Sequence, residues 1–407
     1  MASSRRHSSL GALADDIATW LAGEALGSSE PAALFDALCR RLRAAGVPIL
    51  RGNVSFNVLH PLYVAGSLTW TAEGVGVQLF SWETRASDGY LNSPVRHVNL
   101  HHLPLLRRRL SGRNALLDFP ILPELRDKGG HDYLLLAVQF DEHHREDVDG
   151  RRGIICSWVC DRPAGFSDGE IRLLQRITSR LAVALKGRLD RAIAHNVASA
   201  YLGRHAGQAV LRGAIHRGDG EKLRAALWYS DLRHSSTLAD HDTAEGFLRV
   251  LNRYFEMTAG AIHDHGGEVV SFIGDAVLGF FRVETTEAEA CGRALAAAGE
   301  ARRRLAAHVY EEGARPLEFG TGLHLGEVIY GNVGVPERLQ FTLVGAAVNE
   351  VARIEDLTKP LGEPVLVSGR FARAVAGGWR TLGEHTLRGI QRPIEVFAPG
   401  DGMAAVA

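Results

Sequence analysis

Gly266-Gly267-Glu268-Val269-Val270-Ser271-Phe272-Ile273-Gly274-Asp275-Ala276-Val277-Leu278-Gly279-Phe280-Phe281 is the stretch that decides the fold of the C-terminal half of this 407-residue chain. Two apolar runs flank a Gly-Asp pair, which predicts a tight hairpin with Asp275 at its tip. A lone hairpin aspartate is ordinarily only a turn former. Upstream, Ala225-Ala226-Leu227-Trp228-Tyr229-Ser230-Asp231-Leu232-Arg233 predicts an apolar strand that ends on another carboxylate. Alone, Asp231 would be the N-cap of a helix that must begin near Leu238 or Thr243. Together, two carboxylates at the mouths of adjacent strands form the donor set that two Mg²⁺ ions bridging a triphosphate require.

Downstream, Gly322-Leu323-His324-Leu325-Gly326-Glu327-Val328 leads through Tyr330-Gly331-Asn332-Val333-Gly334 to a strand over 339–344 and then to Val348-Asn349-Glu350-Val351-Ala352-Arg353-Ile354-Glu355. Asn349 and Arg353 are four apart, so they share one helix face and can address one ligand. The competing reading is a solvated face with an Arg–Glu pair. Asn is a poor interior helix former, which favours a role for it.

These elements, in this order, resemble the catalytic domain of class III adenylate and guanylate cyclases over residues 219–399. The signatures are Ser230-Asp231-Leu232-Arg233, Phe272-Ile273-Gly274-Asp275, Gly331-Asn332-Val333-Gly334, Asn349-Glu350-Val351-Ala352-Arg353 and Leu387-Arg388-Gly389-Ile390. The resemblance implies a ferredoxin-like α/β (α+β) domain that converts ATP to 3′,5′-cyclic AMP and pyrophosphate. It casts Asp231 and Asp275, with the Leu232 carbonyl, as ligands of two Mg²⁺ or Mn²⁺ ions. It casts Asn349 as the ribose-orienting residue, Arg353 as the guanidinium at the α-phosphate, and Arg388 as the contact to the terminal phosphates. Metal ligands come from one subunit of the family and the Asn and Arg from the other, so a homodimer is implied.

Two departures qualify the resemblance. The family reads its base at two positions, Lys with Asp or Thr for adenine and Glu with Cys for guanine; here they are Ser271 and Thr342. The Thr342 hydroxyl can accept from the adenine amino group. Ser271 fits neither pattern and lacks the cationic donor, so weakened base discrimination is expected. His234-Ser235-Ser236 replaces the usual Gly-Phe-Thr. The rival readings are a non-catalytic nucleotide-binding regulatory protein and a guanylate cyclase. A diguanylate cyclase is excluded, because Gly266-Gly267-Glu268 continues into Val269-Val270.

The remaining sequence bounds the rest. Lys plus Arg number 46 against 47 Asp plus Glu, a net charge of -1 that gives no electrostatic case for nucleic acid. Four scattered cysteines form no disulfide framework, and no run reaches the ~20 apolar residues of a membrane span, so a soluble, cytoplasmic protein is expected. Residues 1–30 read as a disordered tail to about residue 12 and then a helix. Residues 31–191 resemble a GAF domain: a helix over 31–45, strands over 54–59, 66–71, 76–82, 133–140 and 153–159, and a closing helix capped near Ser167. That resemblance implies a sensor for a small-molecule or protein ligand, and residues 192–218 read as a helical, dimerising linker. Arg107-Arg108-Arg109 with Arg113 reads as a solvated helix face. His97, His101 and His102 read as surface histidines, and Cys156 and Cys160 as buried structural thiols.

Overall fold

Six extended runs pair into the first of two sheets: β1 (Ile49–Asn57), β2 (Tyr63–Thr71), β3 (Gly74–Ser81), β4 (Leu105–Arg109), β5 (Asp132–Gln139) and β6 (Gly153–Cys160). The computed structural model describes residues 2–27, 29–140, 153–309, 317–390 and 392–400. Its chain divides into two units, Met1–Val197 and Ala198–Ala407. In the first, the antiparallel order is β3-β2-β1-β6-β5-β4. One core joins Ile17, Leu21, Phe35, Leu38, Leu174 and Leu181 from its helices to the sheet. A separate cluster holds Val98, Leu106, Leu122 and Leu135.

Two expectations are corrected here. The segment read as a disordered tail is part of a helix, Ala2–Ala25, which buries Ile17 and Leu21. The arginine run is not a helix face but strand β4. The reason is Asp132, a fully buried carboxylate that needs counter-charge. Arg107 Nη2 lies 2.7 Å from its Oδ2 and 2.9 Å from the Phe166 carbonyl. Arg109 donates to the carbonyls of Ala164 and Pro163 at 2.7 and 2.6 Å. The four cysteines are free and buried, and burial pushes the Cys156 and Cys160 thiols up, Cys160 to about 11. The unit also encloses a cavity of ≈ 420 Å³ whose walls include Phe56, Val64, Phe80, Val98 and Ile154.

The second unit contains β7 (Gly220–Leu232), β8 (Glu268–Ile273), β9 (Ala276–Arg282), β10 (Phe319–Val335), β11 (Arg338–Val344), β12 (Val365–Ser368), β13 (Trp379–His385) and β14 (Ile394–Pro399). Their order is β13-β14-β12-β10-β7-β9-β8, with β11 paired to β10. With helices Ala244–Asp264 and Glu287–Val309 between them, β7, β8, β9 and β10 make a β-α-β-β-α-β run in a sheet ordered β10-β7-β9-β8. That is the ferredoxin-like plan. Among the described residues no helix is long and apolar enough to cross a membrane.

Side-chain alternation along β7 sets the two faces. Ala226 and Trp228 enter the core shared with Tyr254, Ile262 and Leu295 of the two long helices. Ala225 and Leu227 enter the opposite core, shared with Ala347 and Val351 of the helix Ala346–Asp356. Residues 198–214, inside the segment read as a linker, belong to this second core. Ala206 is fully buried beside Leu223 and Tyr330, and Asn332 Nδ2 donates to the Ala214 carbonyl at 2.8 Å.

Candidate functional site

Strand register brings the two predicted aspartates together. Asp231 sits opposite Ala276 on β9 and opposite Gly320 on β10. Asp275 immediately precedes Ala276 in the hairpin, and its carbonyl accepts from the Leu232 N–H at 3.4 Å. Neither carboxylate forms a salt bridge among the described residues. Asp231 is raised to about 6, first by burial, then by the charges of Asp275 and Asp356, with Arg233 opposing.

Two residues that the sequence left without a role complete this corner. Glu355, 6% exposed, is raised to about 7 by burial and then by Asp231. Thr358 Oγ1 donates to the Glu355 carbonyl at 2.6 Å, lies 3.2 Å from Glu355 Oε1, and accepts from Arg233 Nη2 at 3.0 Å. Gly320 makes the room: a Cβ there would stand 2.3 Å from Thr358 Oγ1 and 2.4 Å from Glu355 Oε1. The signal that could have flagged Glu355 is an acidic residue in the last turn of a helix, where the macrodipole disfavours it.

The helix Ala346–Asp356 carries Asn349 and Arg353 on its outer side, with Ala347, Val351, Ile354 and Glu355 buried. Asn349 is exposed, and Arg353 Nη1 pairs with Asp356 Oδ2 at 2.7 Å. No hydrogen bond or ion pair joins either residue to Asp231 or Asp275 within the described chain. Asn349 and Gly389, the neighbour of Arg388, line one cavity of ≈ 580 Å³ together with Glu350 and Arg370. Buried His324 on β10 lies 3.0 Å from Glu350 and holds that carboxyl below its ordinary value. Arg388 is exposed in the turn between β13 and β14. Ser271 stands opposite Leu278 on the β8–β9 hairpin, and Thr342 opposite Gly331 on β10–β11.

His234 takes the left-handed conformation, φ 59, where the family usually has Gly, and precedes the short helix Ser235–His241. The cap function considered for Asp231 falls elsewhere. Helix Ala244–Asp264 is capped by Thr243 Oγ1, which accepts from the Gly246 N–H at 3.0 Å.

The donor set suits a divalent cation. Two oxygen-only side chains sit side by side without a paired cation, and their mutual repulsion is already visible in Asp231. No group of three or more His, Cys, Asp or Glu side chains arranged to hold a metal occurs among the described residues.

Residues 221–390 match the adenylate and guanylate cyclase catalytic domain. An uncharacterized protein of Mycobacterium tuberculosis (strain CDC 1551 / Oshkosh) is 32% identical over 204 residues, 48% of this chain and 36% of that protein. A second, from strain ATCC 25618 / H37Rv, is 31% identical over 239 residues, 58% of this chain and 40% of that one. The chain thus spans less than half the length of these curated relatives. Among solved structures, the guanylyl cyclase Cya2 is 29% identical with a TM-score of 0.40, covering 45% of this chain and 95% of that one. A bacterial light-regulated adenylyl cyclase is 28% identical with a TM-score of 0.40, covering 46% and 97%. With the family match falling on the strands, hairpin and helix that carry Asp231, Asp275, Asn349 and Arg353, residues 221–390 belong to the adenylate and guanylate cyclase catalytic domain family.

Proposed function

We propose that the protein is an adenylate cyclase, converting ATP to 3′,5′-cyclic AMP and pyrophosphate as a homodimer with two sites across its interface. The observation that carries this reading is the Asp231–Asp275 couple at neighbouring strand ends, which among the described residues has no ion pair and no hydrogen bond to Asn349 or Arg353 of the same chain. Each chain carries both sets, and a second copy would bring its Asn349 and Arg353 to the carboxylates of the first. Apolar side chains at the β8–β9 hairpin, beside the carboxylate couple, support the pairing: Phe272 and Ile273 are 52% and 51% exposed, a surface that a partner copy would cover.

Asp231, Asp275 and the Leu232 carbonyl would hold two Mg²⁺ or Mn²⁺ ions. The chemistry those cations supply when bound is a lowered pKa at the ribose 3′-hydroxyl and neutralised charge on the phosphates. Asn349 would orient the ribose so that its 3′-oxygen lies in line with the α-phosphorus. As the bond to that oxygen forms and the bond to the β-phosphate breaks, Arg353 would exchange Asp356 for the α-phosphate oxygens. Arg388 would meet the leaving pyrophosphate, and the Thr342 hydroxyl would accept from the adenine amino group, with Ser271 alongside.

The N-terminal unit would act as the sensor, its apolar ≈ 420 Å³ cavity taking a small molecule, and ligand binding would tune how two cyclase units pair. A cytoplasmic location fits four free, buried cysteines.

The test is cyclic nucleotide production by the purified full chain with ATP or GTP, in Mg²⁺ and in Mn²⁺, beside Asp275→Ala. Metal-dependent cyclic AMP that vanishes in the variant supports the proposal. Predominant cyclic GMP overturns the base assignment, and ATP binding without product overturns turnover.

A further inference from the structure

We infer that a second cavity, at the end of β7 beside the carboxylate pair, is a binding site for a phosphate oxyanion. It measures ≈ 450 Å³ and gathers Arg233, His234, Arg302 and Lys359 from three separate parts of the second unit, with Leu305 and Phe319 as apolar wall. Arg302 is the anomaly. Its side chain is part-buried in the C-terminal half of helix Glu287–Val309, and burial lowers its pKa. It makes no hydrogen bond or ion pair among the described residues, although its neighbours Arg303 and Arg304 both pair with Glu300 at 2.8 Å. A desolvated, unpaired guanidinium is costly to keep, and an arriving anion removes that cost.

The other side chains of the cavity agree in sign. Among the described residues the Arg233 guanidinium gives one hydrogen bond, to Thr358, of the five its N–H groups can donate. Of the two acidic side chains on the wall, Glu363 is already held by Arg380 at 2.5 Å, and Glu318 is exposed. Among the described lining residues, three permanent cations thus stand with one carboxylate outside an ion pair, Glu318, while the charge of Arg233 also acts on Asp231 and Glu355 outside the lining. Planar, multi-donor guanidinium groups match the oxygens of phosphate or pyrophosphate, with Lys359 as a point charge at the rim. Since Arg302 and Lys359 lie outside the residues assigned to the nucleotide, the site stands whether or not the chain turns ATP over.

The experiment is isothermal titration calorimetry of the full chain in EDTA, first with inorganic phosphate and then with pyrophosphate. Saturable one-to-one binding is expected, weakened about tenfold or more by Arg302→Gln and by Lys359→Gln, as loss of a charge-assisted hydrogen bond implies. It should persist in Asp275→Asn and in Arg303→Gln, which removes the same charge from the same helix outside the cavity. Tighter binding of pyrophosphate would assign the reaction product as occupant, and phosphate binding at least as tight would assign the free ion. Absence of saturable binding, or equal losses in Arg303→Gln and Arg302→Gln, overturns the proposal. Lys359 is exposed, so its variant keeps the test decisive if Arg302→Gln does not fold.

Discussion

Replacing Asp231 by Asn should make the cation-free protein more stable at pH 7.5 while abolishing its activity. The carboxyl rises from 3.8 to about 6 on folding, because burial, Asp275 and Asp356 all disfavour its charge. Between those two values the folded state binds more protons than the unfolded state, so stability falls as pH rises through the window. A shift of roughly 2 units is worth at most about 3 kcal/mol. Asp231 is only part-buried, so solvent screening cuts this to about 1–2 kcal/mol. Glu355 adds to the gain, since the Asp231 charge is the second cause of its own rise to about 7. Peptide-resolved hydrogen exchange in EDTA, corrected for intrinsic rates at each pH, reads the second unit separately from the first. The β7 and β10 peptides of the variant should gain about 1–2 kcal/mol of protection at pH 7.5 and roughly half of that at pH 5. A variant less protected than wild type at pH 7.5, or a difference that ignores pH, would refute the electrostatic account of this corner.

Gly322→Ala would put a Cβ 2.7 Å from both the Glu355 nitrogen and the Val351 oxygen, backbone atoms that cannot rotate aside. The helix bearing Asn349 and Arg353 must shift, which should cost about 1–3 kcal/mol in urea denaturation and about a hundredfold in kcat. Gly292→Ala, on a helix with nothing within 4 Å, should instead raise stability by about 0.5–1 kcal/mol at unchanged kcat. At His234, whose φ is 59, Gly should be tolerated, whereas a β-branched Val should cost about 1–2 kcal/mol in the same assay. Ser271→Lys restores a cationic donor near the base and should raise the ATP-over-GTP ratio of kcat/KM about tenfold, measured by competing the two substrates.

What the sequence disclosed of this site is what local rules govern. The β8–β9 hairpin follows from two apolar runs around Gly274-Asp275, and the shared face of Asn349 and Arg353 from a spacing of four. The hidden parts depend on partners far away in the chain. Arg107 to Arg109 carry a surface-like composition, yet they form β4 because Asp132, some 25 residues on, is buried and needs them. Residues 198–214 have the composition of a free helical linker, and partners distant in sequence, among them Leu223, Glu268, Tyr330 and Asn332, tie them to the second unit.

Glu355 shows why spacing alone stops short of the site. Helical period says that it lies on the buried side with Val351, but not which strand residue it meets. The β7–β10 register answers that, setting Gly320, which has no side chain, across from Asp231 and beneath Glu355 and Thr358. A slip of one residue would bring Phe319 or Thr321 into that place and turn Asp231 away from its partner, because side chains alternate faces along a strand. Gly320 is therefore as much a condition of the carboxylate cluster as the acids themselves.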